Sequence, residues 1–219
     1  MATMNEMKPI TLNDLIIRLN NCSNDFLTII GEIIQADHGN LYKADLFVLP
    51  LLNRSIKLLE GFLLLTKEKN YLCAIPLIRL QLDNSLRFHA ANLVSKPQEV
   101  FDAFLNGKPI NQLKTKSGQR LSDGFLASSL NKLFPGVKKL YTDTSGYVHL
   151  SDKHFYSTII RKPDDQGRMS FGGGADHFTY EEEVNITYQM VNCSELVLTV
   201  VDSWKNFKKN MLHYQQTKR

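Results

Sequence analysis

Tyr71–Val94 reads YLCAIPLIRLQLDNSLRFHAANLV, a mostly apolar helix with charge threaded through it. Arg79, Asp83 and Arg87 stand four residues apart and so lie along one stripe of that helix. Charges seldom leave water unless they are paired or hydrogen-bonded. The stripe is therefore a buried structural network, the wall of a functional site, or part of an oligomer interface. As a network, its charge-assisted hydrogen bonds would hold the helix in register. As a site, two guanidiniums would grip a phosphate while Asp83 steadies one of them.

A second polar stripe follows in KKLYTDTSGYVHLSDKH, residues 138–154. Tyr141, Ser145 and His149 share one helical face if the helix continues past Gly146. His149 is the best acid/base candidate, because histidine titrates near neutral pH. Ser145 has no G-x-S-x-G elbow around it to make it a nucleophile. The alternative for His149 is a satisfied histidine bonded to Asp83 or to a backbone carbonyl. An unsatisfied buried polar group costs about 1–3 kcal/mol. The two stripes are thus expected to meet, with Arg79 or Asp83 within hydrogen-bonding reach of Tyr141, Ser145 or His149.

Outward from these segments the chain reads as mainly α. Thr11 with Asp14 resembles a capping box and opens a first helix to about Ala36. A second helix runs from Leu41 or Asp45 to Lys67, with Pro50 set to kink it or cap its start. Ser95–Pro97 marks a stop and a restart, followed by a short helix through Leu105. Asn106–Arg120, NGKPINQLKTKSGQR, is the best loop candidate, polar and basic with Gly and Pro. Short helices are expected at Ser122–Leu133 and Val137–Val148, separated by Pro135–Gly136. The β-forming run FYSTIIR, the turn PDDQG and the stretch RMSFGGG then predict a small β-hairpin at about 155–172. Thr179 with Glu182 caps a long last helix from Tyr180 to about Tyr214. Glu181–Glu183 at its start and Lys205, Lys208 and Lys209 near its end match the helix dipole.

The chain has 219 residues, enough for one domain spanning 1–219 with a substantial core. Its net charge of +4 is compatible with an RNA or phosphate partner without demanding one. Three cysteines, Cys22, Cys73 and Cys193, show no C-x-x-C pair, which fits a reducing compartment and a cytoplasmic protein. No apolar run is long enough to span a bilayer, so no membrane role is expected. FGGGADHF at Phe171–Phe178 lacks the GK[ST] ending of a phosphate loop and reads as a hinge. The loop residues Lys108, Lys114, Lys116 and Arg120 lack interleaved aromatics for base stacking but can still touch a phosphate backbone. His149, Asp152, His154 and Asp176–His177 match no zinc spacing, and neither a metal nor a cofactor is expected.

PLIRLQLDNSLRFHA at Pro76–Ala90 and YTDTSGYVHLS at Tyr141–Ser151 resemble a group of bacterial helical domains related to the HEPN superfamily. The resemblance covers about half the chain and implies an antiparallel helical bundle that is often a homodimer. It also implies RNA-directed roles, including metal-independent RNases of toxin or antiphage defence systems. The catalytic signature of that superfamily, Arg then four to six residues then His, is missing before every histidine of this chain. The reading that follows is a mainly α helical bundle with one inserted hairpin. It binds a protein partner or a phosphate or RNA ligand through Arg79, Asp83, Arg87, Tyr141, Ser145 and His149. The alternative is an RNase in which His149 is the acid or base and Arg79 or Arg87 stabilises the phosphorane.

Overall fold

The computed structural model describes residues 10–160, 168–169 and 178–216. Eight helices carry this part of the chain: α1 Leu12–Gln35, α2 Lys43–Lys67, α3 Tyr71–Leu93, α4 Gln98–Leu105, α5 Asp123–Leu130, α6 Val137–Val148, α7 Asp152–Ser157 and α8 Tyr180–Gln216. The capping boxes form as the sequence predicts. Asp14 N donates to Thr11 Oγ1 (3.2 Å) while Thr11 N donates to Asp14 Oδ2 (3.0 Å). Thr179 N donates to Glu182 Oε2 at 2.8 Å in the same way at the start of α8.

Helix α3 is the centre of the bundle. It packs against α8 and α2 along its length and against α5 and α6 across another face. Its apolar residues Ala74, Ile78, Leu82 and Leu86 are almost wholly buried, and cutting one such leucine to alanine costs about 2–5 kcal/mol. Helix α1 buries Leu15, Leu19, Phe26 and Ile33 at helical spacing against α8 and α2. Pro50 lies inside α2 and does not end it, because the carbonyl it leaves free belongs to half-exposed Leu46.

The three lysines near the end of α8 do more than complement a dipole. Lys208 is fully buried and donates to Asp45 Oδ2 (2.8 Å) and to the Ile33 carbonyl (2.7 Å). It thereby satisfies an orphan carbonyl in the last turn of α1 and pins α8 to both α1 and α2. Trp204 Nε1 and Tyr42 N also donate to Asp45, each at 2.8 Å. Lys205 and Lys209 pair with Glu32 of α1 at 3.0 and 3.3 Å. The hydrogen bond from Lys205 is the main reason that the Glu32 carboxyl sits below its ordinary range.

The residues expected to start a strand at Phe155 are instead helical through Ser157. Ser151 caps this helix: Lys153 N donates to its hydroxyl (3.3 Å) and its own N–H donates to His154 Nδ1 (3.3 Å). A satisfied N-cap outweighs the β-propensity of Phe155 and Tyr156. Of the expected hairpin, the described residues contain a two-residue antiparallel pairing, Ile159 with Met169 and Ile160 with Arg168. Its turn, and the glycine-rich 171–177 stretch, lie outside the described residues.

Candidate functional site

The arginine stripe of α3 is real, and it is larger than its own helix. Arg79 is nearly buried and its Nη2 lies 3.4 Å from Asp123 Oδ2, with Asp83 more distant at 3.9 Å. Arg87 Nη2 reaches Asp83 at 3.1 Å and Asp123 at 2.6 Å. Asp123 is the first residue of α5, whose N-cap Ser122 accepts from Phe125 N at 3.4 Å. A carboxylate there is favoured by the helix dipole and at the same time bridges two guanidiniums. Arg54 of α2 completes the cluster, with Nη1 at 3.5 Å from Asp83 and a short hydrogen bond to the side-chain amide oxygen Oδ1 of Asn84.

Behind Arg54 the polar chain runs inward. Asn84 Nδ2 donates to Ser55 Oγ (2.8 Å) and to Gln81 Oε1 (3.2 Å), and Gln81 Nε2 donates to Ser194 Oγ (3.2 Å). These four side chains are buried and tie α2, α3 and α8 together. The cluster thus has a buried half that holds the helices and an accessible half that faces solvent. Arg54 keeps 41% of its side chain exposed and Arg87 24%, against 11% for Arg79.

The two predicted stripes meet, but not by a hydrogen bond. The Arg79 guanidinium lies over the Tyr141 ring, 4.4 Å from its centre. Ser145 donates its hydroxyl to the Tyr141 carbonyl of its own helix at 2.5 Å, and among the described residues no hydrogen bond joins it to Arg79 or Asp83. His149 forms the C-cap of α6 and is exposed, eight residues and about 12 Å of helical rise beyond Tyr141. The expected union of Tyr141, Ser145 and His149 on the arginines therefore reduces to Tyr141 alone. Arg79 also lies close enough to Cys193 to oppose the effect of burial, which pushes that thiol up to about 12.

The accessible half opens into a cleft of about 590 Å³. Arg54, Arg87 and Lys108 contribute its positive side chains and Asp83 its carboxylate, while Phe47, Pro50 and Phe104 supply apolar walls. Lys108 comes from the basic loop that follows α4, and it is the residue of that loop's basic set that reaches the cleft. The loop is folded, with Lys114 bridged to Arg120 and Leu121 N donating to the Leu113 carbonyl at 3.0 Å.

Other histidines take structural positions. His89 is buried, contacts Ser129 Oγ at 3.0 Å, and is held below its ordinary range by desolvation. His154 Nδ1 is occupied in the cap of α7. Among the described residues no group of three His, Cys, Asp or Glu side chains stands close enough to hold a metal ion, and Asp176 and His177 lie outside them. No described helix is long and apolar enough to cross a membrane. Sequence reasoning missed Arg54 and Asp123. The signal for Asp123 was an acid directly after a capping serine, and for Arg54 a cation within the apolar α2. Family models, curated proteins and solved structures were compared with the chain, and none matches it.

Proposed function

We propose that the chain is a non-catalytic HEPN-like helical module whose cleft binds a phosphate-bearing ligand, with single-stranded RNA as the macromolecular form. The observation that carries this reading is the lining of the cleft, where Arg54, Arg87 and Lys108 face a single carboxylate, Asp83. An arginine already held by a carboxylate keeps its fork in place and still has donors to offer a phosphate. Arg54 and Arg87 are both in that state. The buried network behind them supplies the rigidity that a preformed anion site needs.

The alternative, metal-independent RNA cleavage by His149 and Arg79, has less behind it. His149 stands about 12 Å of helical rise from the Arg79–Tyr141 contact. None of the described residues lining the cleft is a histidine to move a proton there. The protein-partner and homodimer expectations rest on the resemblance and on the interface reading of the stripe.

The test is fluorescence anisotropy of a labelled single-stranded RNA dodecamer titrated with the protein over a range of salt. Three neutralised phosphates give a slope of log affinity against log salt of about −2. Arg54→Ala and Lys108→Ala should each weaken binding and flatten that slope. An unchanged affinity in both variants would refute the cleft as the site. RNA fragments that appear in EDTA and vanish in His149→Ala would favour the RNase instead.

A further inference from the structure

A second cavity, of about 620 Å³, lies on the other side of α4 from the arginine cleft. Phe47 marks the divide: its ring meets Phe104, which faces the arginine cleft, edge-on at 5.1 Å, and lies tilted against Phe101, which faces the second cavity, at 5.4 Å. The second cavity is walled by the rings of Tyr42, Phe88, Phe101, Trp204 and Phe207. Its chemistry is unlike that of the first.

The polar atoms of those rings are already engaged and point away from the cavity's needs. The Trp204 indole N–H donates to Asp45, and the Tyr42 hydroxyl donates to Asp37. What the rings offer is carbon. Lys43 supplies the formal charge of the lining, and it is paired with Asp102 at 2.7 Å. The ion pair of Lys208 and Asp45 behind the rings is closed on itself at 2.8 Å. An unpaired charge on a ligand would therefore lose its water and gain no counter-ion.

Two side chains at the rim remain uncommitted. Asn92 at the end of α3 and Gln98 at the start of α4 are exposed, and neither amide has a partner among the described residues. Each can donate and accept. Trp204 and Phe207 lean on one another with ring centres 5.6 Å apart, and Tyr42 meets Trp204 edge-on at 6.5 Å. Phe207 is 57% exposed, a cost that a ring seated against it would remove. The volume is in the range of sites for small organic ligands, about 300–1,000 Å³.

We infer that this aromatic-walled cavity between α2, α3, α4 and α8 is a binding site for an uncharged small molecule with a planar aromatic core and a hydrogen-bonding edge. The core lies against Trp204 and Phe207, and the edge meets the amides of Asn92 and Gln98. The site does not depend on the anion-binding reading of the first cleft.

Trp204 is the sole tryptophan of the chain, so its fluorescence reports this cavity directly. The probe is 1-aminoanthracene, a neutral planar amine, titrated into the full-length protein at pH 7. Saturable, one-to-one quenching of Trp204 with a matching rise in probe emission is expected. Phe207→Ala removes an exposed wall and should weaken binding about tenfold without lowering the melting temperature. Ala91→Leu fills the cavity from α3 and should abolish the saturable phase. If it fails to fold, Phe207→Ala with Gln98→Ala still decides. Quenching that never saturates, or that both variants leave unchanged, overturns the inference. So does a dimer seen by sedimentation that Phe207→Ala dissociates, because the cavity would then be an interface between two copies.

Discussion

Removing Arg79 separates the structural half of the cluster from its accessible half. A charge stranded in the interior costs about 3–5 kcal/mol, and the stripe read by itself leaves Asp83 stranded when Arg79 goes. The structure changes that sum. In Arg79→Met, Asp83 keeps Arg87 at 3.1 Å and Arg54 at 3.5 Å, and Asp123 keeps Arg87 at 2.6 Å. Two carboxylates still face two guanidiniums, so no charge is left alone. What is lost, besides the long 3.9 Å pairing with Asp83, is one charge-assisted contact to Asp123 and the stack on Tyr141. The first is worth about 1.5 kcal/mol and the second about 1 kcal/mol, for a total of about 2–3 kcal/mol. For a chain of this size the melting temperature should fall by about 5–10 °C. Arg54→Met loses a half-exposed pair with Asp83, worth about 1 kcal/mol or less after solvent screening, and a hydrogen bond to Asn84 Oδ1, worth about 1 kcal/mol, so it should melt below wild type but by less than Arg79→Met. Thermal unfolding followed by circular dichroism, alongside RNA anisotropy, gives both readouts. Arg79→Met should lower stability more than affinity, and Arg54→Met the reverse. Equal melting of Arg79→Met and wild type, or a larger loss in Arg54→Met, would refute the division of the cluster.

Four further outcomes follow from the same packing. Lys208→Met leaves Asp45 fully buried with neutral donors alone and should cost about 3–5 kcal/mol, read by urea unfolding, with Asp45→Asn in the same chain recovering part of it. Burial lowers the pKa of His89, so the unfolded chain binds more protons just below the ordinary histidine range and stability rises with pH through that window. Urea midpoints between pH 5 and 7 should show that slope, and His89→Gln should flatten it. Ser85 carries the buried hydroxyl without a hydrogen-bond partner among the described residues, so Ser85→Ala should raise the melting temperature rather than lower it. Burial pushes the Cys22 thiol up to about 11 and the Cys193 thiol up to about 12, whereas Cys73 is exposed. Iodoacetamide should therefore label Cys73 in the folded protein and the other two only after denaturation, as peptide mass mapping will show.

The helices and their ends were legible in the sequence because they are set by neighbours. Thr11 with Asp14, Thr179 with Glu182, and the apolar spacing of α1 and α3 are all relations over three or four residues. The stripe of Arg79, Asp83 and Arg87 was legible for the same reason. Where the local signals competed, as at Ser151–Ser157, a cap prevailed over β-propensity, and the sequence reading chose the weaker signal. The destination of each charge was a different matter. Asp123 meets Arg79 across 44 residues, Arg54 meets Asp83 across 29, and Lys208 meets Asp45 across 163. No pattern along the chain encodes such pairs, because a lysine in the last turns of a helix satisfies the helix dipole and a distant buried carboxylate equally well on paper. Only the packing of α8 between α1 and α3 shows that Lys208 lies inside, that Arg79 stacks on Tyr141, and that His149 stays in solvent. Local sequence thus determined which helices form and which of their faces carry charge. The tertiary structure decided which charges are spent on holding the bundle and which, at Arg54, Arg87 and Lys108, line an open cleft.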